Sequence, residues 1–521
     1  MSGAPTSSGG SAGPQPLHGG ALALTSVALA LGTFMQVLDT TIANVSIPTI
    51  AGNLGVSADQ GTWVITSFAV SNGIAVPLTG WVMRRYGAVR TFVVSVLLFT
   101  VASLLCGIAW NLSSLVFFRV LQGAASGPMI PGSQALLLAI FPPSKRGTAL
   151  AIWSMTTLVA PICGPILGGY ISDNYSWSWI FFINIPVGLL CAVICWRSLG
   201  RSETATQKLP IDMIGLSLLV VWVGALQVML DTGKDADWFA STQIIVLTLV
   251  AAIGCVAWVI WEVTEKHPIV DLSLFANRNF ALGVVASALA YAVFFGNVVI
   301  LPLWLQQQIG YTATWAGLVA APSGVVAVVL TPLAARIMSR IDARWTASFS
   351  FIMFSVSYFM RAGLTSDASF GAFVLPLLVQ GVAMSFFFVA LLTIALNGID
   401  PQRIPAASGL YNFIRITAGS FATSLTTTLW DRREALHQSR LAEASSIYDP
   451  TMQNALATLH GIGVPDTQAI AILTRNLIGQ AYLLASDDYF WLSGWLVLLL
   501  IGLVWGARRS LSGGPVVGGG D

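Results

Sequence analysis

The feature that most constrains this chain is a recurrence. Blocks of about twenty apolar residues follow one another from residue 21 to residue 507, parted by short polar breaks. A helix of that length crosses the roughly 30 Å hydrocarbon core of a bilayer. Lipid offers no partner to a bare amide or carbonyl, so each block must satisfy its own backbone as a helix. Composition agrees: 55% of the 521 residues are hydrophobic and 9% charged, against roughly 25% charged in a soluble domain. The expectation is an all-α integral membrane protein of about fourteen transmembrane helices. The spans read as 21–46, 60–82, 89–110, 112–140, 147–170, 178–197, 212–230, 242–262, 280–302, 315–337, 344–362, 371–396, 405–429 and 489–507.

Residues 1–20 are rich in Gly, Ser and Pro and hold no Lys or Arg, which predicts a disordered tail. They lack the basic n-region of a signal peptide, so the first helix is expected to be retained. With the N-terminus in the cytoplasm, 16 of the 24 Lys and Arg fall in inside loops and the C-terminal tail, from Arg84 to Arg509. The short outside loops hold only Lys234 and Arg361. This bias orients the chain with both ends inside. Arg119 and Arg415 fall within spans.

Several chemistries find no support. The five cysteines all lie in predicted spans, where they read as small packing residues. The four histidines have no metal-ligand spacing, so no metal site is expected. No GxxxxGK[ST], HExxH or GxSxG motif occurs, which argues against a nucleotide motor and an enzyme. Nothing points to a nucleic-acid partner.

An internal repeat organises the spans. Pro77-Leu78, Met83, Arg85 and Ala88 recur as Pro332-Leu333, Met338, Arg340 and Ala343, at an offset of 255. Gln122-Gly123 recurs as Gln380-Gly381, at an offset of 258. The reading is two six-helix pseudo-repeat halves, 21–200 and 271–507, with two inserted helices in 201–270 and a tail at 508–521. A long outer loop, 430–488, interrupts the second half. Paired halves with a site between them are a transporter plan.

Among 22 acidic residues, only Asp39 falls deep inside a span. A carboxylate there costs a few kcal/mol unless it is paired, solvated or protonated. Asp39 lies about 10 Å from the outer end of its span, at 1.5 Å per residue, and Arg119 lies at a similar depth. The two could form a static pair that fixes packing. They could equally form a proton switch, in which protonating Asp39 releases Arg119. Leu377 stands at the position of Arg119 in the second half and neither charge has a counterpart there, which favours the switch. In span five, the run Ala160-Pro161-Ile162-Cys163-Gly164-Pro165-Ile166-Leu167-Gly168-Gly169 reads either as tight helix packing or as a hinge between halves.

Five segments carry a resemblance: LDTTIANVSIP (38–48), PLTGWVMRRYGAVR (77–90), FFRVLQGAASGP (117–128), APICGPILGGYISDNYSWSWIFFINIPVG (160–188) and the Asp212/Gly215 start of span seven. The chain resembles the major facilitator superfamily, and within it the fourteen-span drug:proton antiporters. The resemblance implies that Asp39 takes up the proton and that Arg119, Gln122 and Gly123 assist its transfer. Gly164, Pro165, Gly168 and Gly169 match the antiporter motif, which controls leak and direction. Arg84, Arg85 and Gly87 match the cytoplasmic loop that latches the halves. The acid expected at about Arg84 is missing, which puts in doubt a latch built on it.

The same resemblance implies a bacterial inner membrane, energy from the proton gradient with no cofactor, and a tripartite assembly with a periplasmic adaptor and an outer-membrane channel. Cargo would be small hydrophobic or amphipathic compounds. A narrow exporter of one metabolite, fatty acid or siderophore is the alternative, and a non-transporting membrane sensor is an alternative of another class. Segment 430–488 could dock the adaptor or simply pack over the outer face; its stretch 469–484 has helical periodicity suited to lying on a surface. Gln36, Asn44, Asn297, Trp304, Gln306 and Tyr411 are candidates to line a cargo cavity.

Overall fold

The computed structural model describes residues 16–142, 145–208, 210–338, 340–444 and 450–509, and their regular structure is helical. Most of the two expected tails, and residues 445–449 of the outer segment, lie outside the described residues. The first half comprises α1 (Gly19–Leu54), the short α2 (Ala58–Gly61), α3 (Trp63–Ala75), α4 (Thr79–Tyr86), α5 (Ala88–Gly107), α6 (Leu112–Ser126), α7 (Met129–Ile140), α8 (Arg146–Asn174), α9 (Trp179–Phe182) and α10 (Asn184–Leu199). Then come α11 (Met213–Thr232) and α12 (Thr242–Thr264). The second half comprises α13 (Arg278–Gln307), α14 (Ala313–Met338), α15 (Ala343–Arg361), α16 (Phe370–Leu396), α17 (Ile404–Ala444), α18 (Pro450–Gly461) and α19 (Asp466–Trp505).

Three pairs join to make fourteen spans. The α3–α4 pair bends by 58° at Pro77, whose ring blocks the preceding carbonyl and supplies no N–H. The α6–α7 pair breaks at Gly127-Pro128, and α9–α10 is nearly continuous. Among the described residues, nine helices are long and apolar enough to cross a membrane, and two bent pairs raise that to eleven. The spans that fall short of this apolar standard are α6–α7, α15 and α17. They carry the buried Arg119, Arg361 and Arg415.

The two halves repeat in packing as well as in sequence. A Cβ on Gly123 would stand 2.5 Å from the Phe68 carbonyl, and one on Gly381 would stand 2.5 Å from the Ser323 carbonyl. The 255-residue offset separates Phe68 from Ser323. The glycine after each glutamine therefore lets α6 close on α3 and α16 close on α14 in the same way. Helix α11 packs on α12 and against α3 and α17, at the flank of the seam between halves. Trp222 of α11 meets Trp258 of α12 and Phe413 of α17.

The outer segment differs from the loop expected at 430–488. Helix α17 runs on to Ala444, and α19 begins at Asp466 and passes unbroken into the last span. WDRREALHQSRLAEA (430–444) contains no Gly or Pro and is dense in Ala, Leu, Arg and Glu, which favour continued helix. The two extensions are tied by Arg433 and His437 to Asp488, and by Trp430 to Ser486 Oγ at 2.9 Å. Stretch 469–484 stands on the end of α19 instead of lying flat.

Candidate functional site

Asp39 and Arg119 meet. Asp39 is 1% exposed on α1 and Arg119 fully buried on α6, with Arg119 Nη1 2.5 Å from Asp39 Oδ2. The remaining hydrogen-bond partners come from α3, α5, α6 and α10. Gln122 Nε2 and Asn184 Nδ2 donate to Asp39 Oδ1 at 3.0 and 2.9 Å. The same two amides donate to Ser103 Oγ of α5, at 2.7 and 3.2 Å. Arg119 Nη1 also reaches Gln122 Oε1 at 2.7 Å, and its Nε donates to the Val64 carbonyl at 2.9 Å. The Phe68 ring lies 4.3 Å from the guanidinium carbon and the Phe181 ring 5.6 Å.

Local sequence explains how α6 presents this face. Asn111 caps its start, accepting from the Ser114 amide at 2.8 Å in a reciprocal capping box. That phase puts Arg119 and Gln122, three residues apart, on one side. Both aspartate oxygens thus accept from donors, one of them charged. Adding a proton turns an acceptor-only group into a donor and removes the negative charge facing Arg119. Arg119 would keep Gln122 Oε1 and the Val64 carbonyl, while its Nη2 has no acceptor even now.

Within two turns beyond Asp39, α1 presses on α8. A Cβ on Gly164 would fall 2.1 Å from Thr41 Oγ1, and one on Gly168 would fall 3.0 Å from the Ile42 carbonyl. Ser172 Oγ donates to Ser46 Oγ at 2.9 Å. Gly169, by contrast, has nothing within 4 Å of its Cβ position, so packing does not demand glycine there. The Pro165 side chain lies outside the described residues. Helix α8 bends by 40° between Pro161 and Ile166 and touches the other half, with Ile166 3.6 Å from the Cβ position of Gly317. The Asp39–Arg119 pair is thus linked through α8 to the seam between halves.

The loop at Arg84, Arg85 and Gly87 is held by a residue the sequence did not point to. Glu203, in the linker after α10, accepts from the amides of Val89 and Arg90 at 3.0 and 2.8 Å, closing the start of α5. Gly87 has φ +95°, and a Cβ there would stand 2.3 Å from Glu203 Cδ. Arg84 donates its Nε to the Gly80 carbonyl at 3.4 Å, and Arg85 lies over the Trp81 and Tyr86 rings. The halves touch beside this loop, where a Cβ on Gly80 would lie 2.6 Å from Ala406 Cα. A cleft of about 350 Å³ opens between α8 and α14, lined by Lys145, Met155, Pro332 and Arg336 among others.

The six residues expected to line one cavity do not gather. Asn44 and Gln306 are exposed, and Gln306 donates to its own helix at the Pro302 carbonyl, 3.2 Å away. Asn297 ties α13 to Ser493 of α19 at 3.1 Å, and Trp304 packs edge-on against Phe373. Gln36 is buried with its Oε1 unmet. Only Tyr411, 2.6 Å from Ser287 Oγ, sits in the interior of the second half near the seam.

Arg361 is a correction of another kind. The sequence places it in a short outside loop; the structure buries it, 1% exposed, in the last turn of α15. Its Nη2 donates to Gln380 Oε1 and to Ser357 Oγ, and the Tyr358 and Phe490 rings cover it. The offset of 258 that relates Gln122 to Gln380 also relates Ser103 to Arg361. The positive charge of the first half therefore does have a counterpart, moved from α6 to the neighbouring helix of the repeat. The carboxylate has none. Sequence reading also missed Asn184 and Ser103; proximity across helices is what reveals them.

The profile of the Major Facilitator Superfamily matches residues 29–423. The chain is 49% identical over 506 residues to the multidrug export protein EmrB of Escherichia coli (strain K12), covering 97% of this chain and 99% of that one. It is 47% identical to the fatty acid resistance protein FarB of Neisseria gonorrhoeae, covering 96% and 98%. Among solved structures, the human organic anion transporter MFSD10 overlays with a TM-score of 0.57 at 12% identity, covering 93% of this chain and 99% of that one. That last likeness speaks to the fold alone.

Proposed function

The chain belongs to the Major Facilitator Superfamily, in the branch of the EmrB multidrug export proteins, and from that premise we propose that it is a drug:proton antiporter. Hydrophobic or amphipathic compounds leave the cell by alternating access while protons enter through Asp39. The proton gradient supplies the energy, with no cofactor. The observation that carries this reading is the buried Asp39–Arg119 pair, bonded by Gln122 and Asn184 and linked through α8 to the seam.

Protonation of Asp39 frees Arg119 and loosens α1, and the Thr41–Gly164 contact passes the change to α8, where the halves meet. At 100 mV each proton brings roughly 2.3 kcal/mol. The end carrying both termini faces the cytoplasm of a bacterial inner membrane, following the positive charges. Cargo enters from that side or its leaflet by the cleft between α8 and α14. On the opposite side, the α17–α19 extensions meet a periplasmic adaptor of the EmrA type, which leads to an outer-membrane channel of the TolC type.

The resemblance to FarB favours a second reading, export of one class of fatty acid. Purified protein in liposomes with a trapped pH dye tests both. Proton movement driven by several unrelated amphipathic drugs, and lost in Asp39→Asn, is the expected result. Movement with fatty acids alone would leave only the narrow exporter. No movement with any compound would sink transport and favour a sensor on this scaffold.

A further inference from the structure

A third buried cation sits where the halves meet. Arg415 of α17 is 2% exposed, and no carboxylate pairs with it among the described residues. Its guanidinium makes one side-chain hydrogen bond, from Nη2 to Asn412 Oδ1 at 3.0 Å, while Nε and Nη1 have no acceptor. Asn412 in turn donates to Gln134 Oε1 of α7, 2.8 Å away across the seam, and Gln134 Nε2 is itself without an acceptor. Trp153 of α8, its ring centre 5.9 Å from the Arg415 guanidinium carbon, keeps a buried indole N–H that is also unmet.

The unmet groups of these three side chains are all donors, and one side chain carries a full positive charge. Native interiors rarely leave buried donors unpaired, and clusters of them call for an explanation. A protein wanting only a rigid seam would place an acceptor or an acid here, as the first half does beside Arg119. Next to the donors stands an aromatic wall: Tyr291 at 4.6 Å and Phe388 at 5.7 Å from the guanidinium carbon, continued by Phe294 and Phe387.

We propose that Arg415, with Gln134 and Trp153, recognises the anionic head of an amphipathic cargo, a carboxylate or phenolate whose apolar body lies on the Tyr291–Phe388 wall. The planar guanidinium fork matches a carboxylate's two oxygens. Gln134 and Trp153 belong to the first half and Arg415 to the second, so the anion fits as the halves part and bridges them. This deepens the export reading above and rests on it: the proton acts at Asp39, and the cargo's charge is read at Arg415.

The test uses the full chain in lipid nanodiscs and a matched pair of probes, 4-hexylbenzoate and neutral 4-hexylbenzamide, with binding followed by thermal-melt shift and tryptophan fluorescence. Wild type is expected to bind the benzoate at least tenfold more tightly than the amide. Arg415→Gln removes that preference, and Arg415→Lys keeps part of it, having charge without the fork. Gln134→Leu narrows the preference about threefold, which keeps the test open if Arg415→Gln does not fold. No preference in wild type, or a preference untouched in the folded variants, overturns the proposal. A wild type that binds the benzoate selectively but moves no protons in liposomes keeps this site and sinks the antiport reading. Drug-driven proton flux without benzoate preference does the reverse.

Discussion

The two halves solve the same packing problem with different charges. In the first, Asp39 faces Arg119 and is bridged by Gln122, Asn184 and Ser103. In the second, Gln380 again reaches a buried arginine, Arg361, but its surroundings are Ser357, Tyr358 and Phe490, with no acid. Asn297 on α13 bonds Ser493 of α19 much as Asp39 on α1 bonds Asn184 of α10. One half thus holds a buried carboxylate, and the other a neutral amide in its place. The scaffold is repeated, and the carboxylate stands on one side alone.

The sharpest way to break this comparison is to neutralise the acid. Asp39→Asn should lower drug-driven proton flux in liposomes at least a hundredfold, while Asn297→Ala changes it only a few-fold. Equal losses would mean that both clusters are packing devices. Next in size is the unpaired charge. Arg119→Leu leaves a buried carboxylate alone and should destabilise the protein by about 3–5 kcal/mol, with Asp39→Asn in the same chain recovering most of it. Arg361→Leu strands only neutral partners and should cost about 1–3 kcal/mol. Denaturant unfolding in detergent checks both; failure of the double variant to recover would remove the ion pair from the account.

Helix approach gives smaller effects. Gly123→Ala and Gly381→Ala should destabilise alike, by about 1–3 kcal/mol, because each forces a methyl onto a carbonyl. Gly164→Ala should behave similarly through Thr41, whereas Gly169→Ala should stay within about 0.5 kcal/mol. Unequal costs at Gly123 and Gly381 would weaken the structural repeat. Smallest is the amide beside the acid: Asn184→Ala removes one donor to Asp39 Oδ1 and should lower stability by about 1–2 kcal/mol. Ser493→Ala, its counterpart at Asn297, should fall below that. Thermal melting of the two variants side by side reads the difference.

The outer segment shows where sequence reading failed for a local reason. Polarity in 430–444 and 466–488 reads as departure from the membrane, which is right for burial in lipid and silent on helix continuity. Helix α17 carries on because residues that leave the bilayer need not leave the helix. Arg361 failed for the opposite reason: a charge near a span end is ordinarily solvated, and only Gln380, Ser357 and two rings from other turns and helices make burial tolerable.

By itself the sequence determined the helical class, the spans, the duplicated halves, and Asp39 and Arg119 as the pair to watch. Each of these follows from properties of twenty neighbouring residues or from repetition along the chain, because lipid forces every apolar block into a helix. Tertiary structure alone decided that Asn184 and Ser103 complete the cluster around Asp39 and Arg119, that Glu203 closes the loop lacking its expected acid, and that Arg361 is buried. It also decided that Arg415 faces the seam with its donors unmet. The physical reason is that a buried polar group is satisfied by whatever lies across from it, and helices distant in sequence provide what lies across.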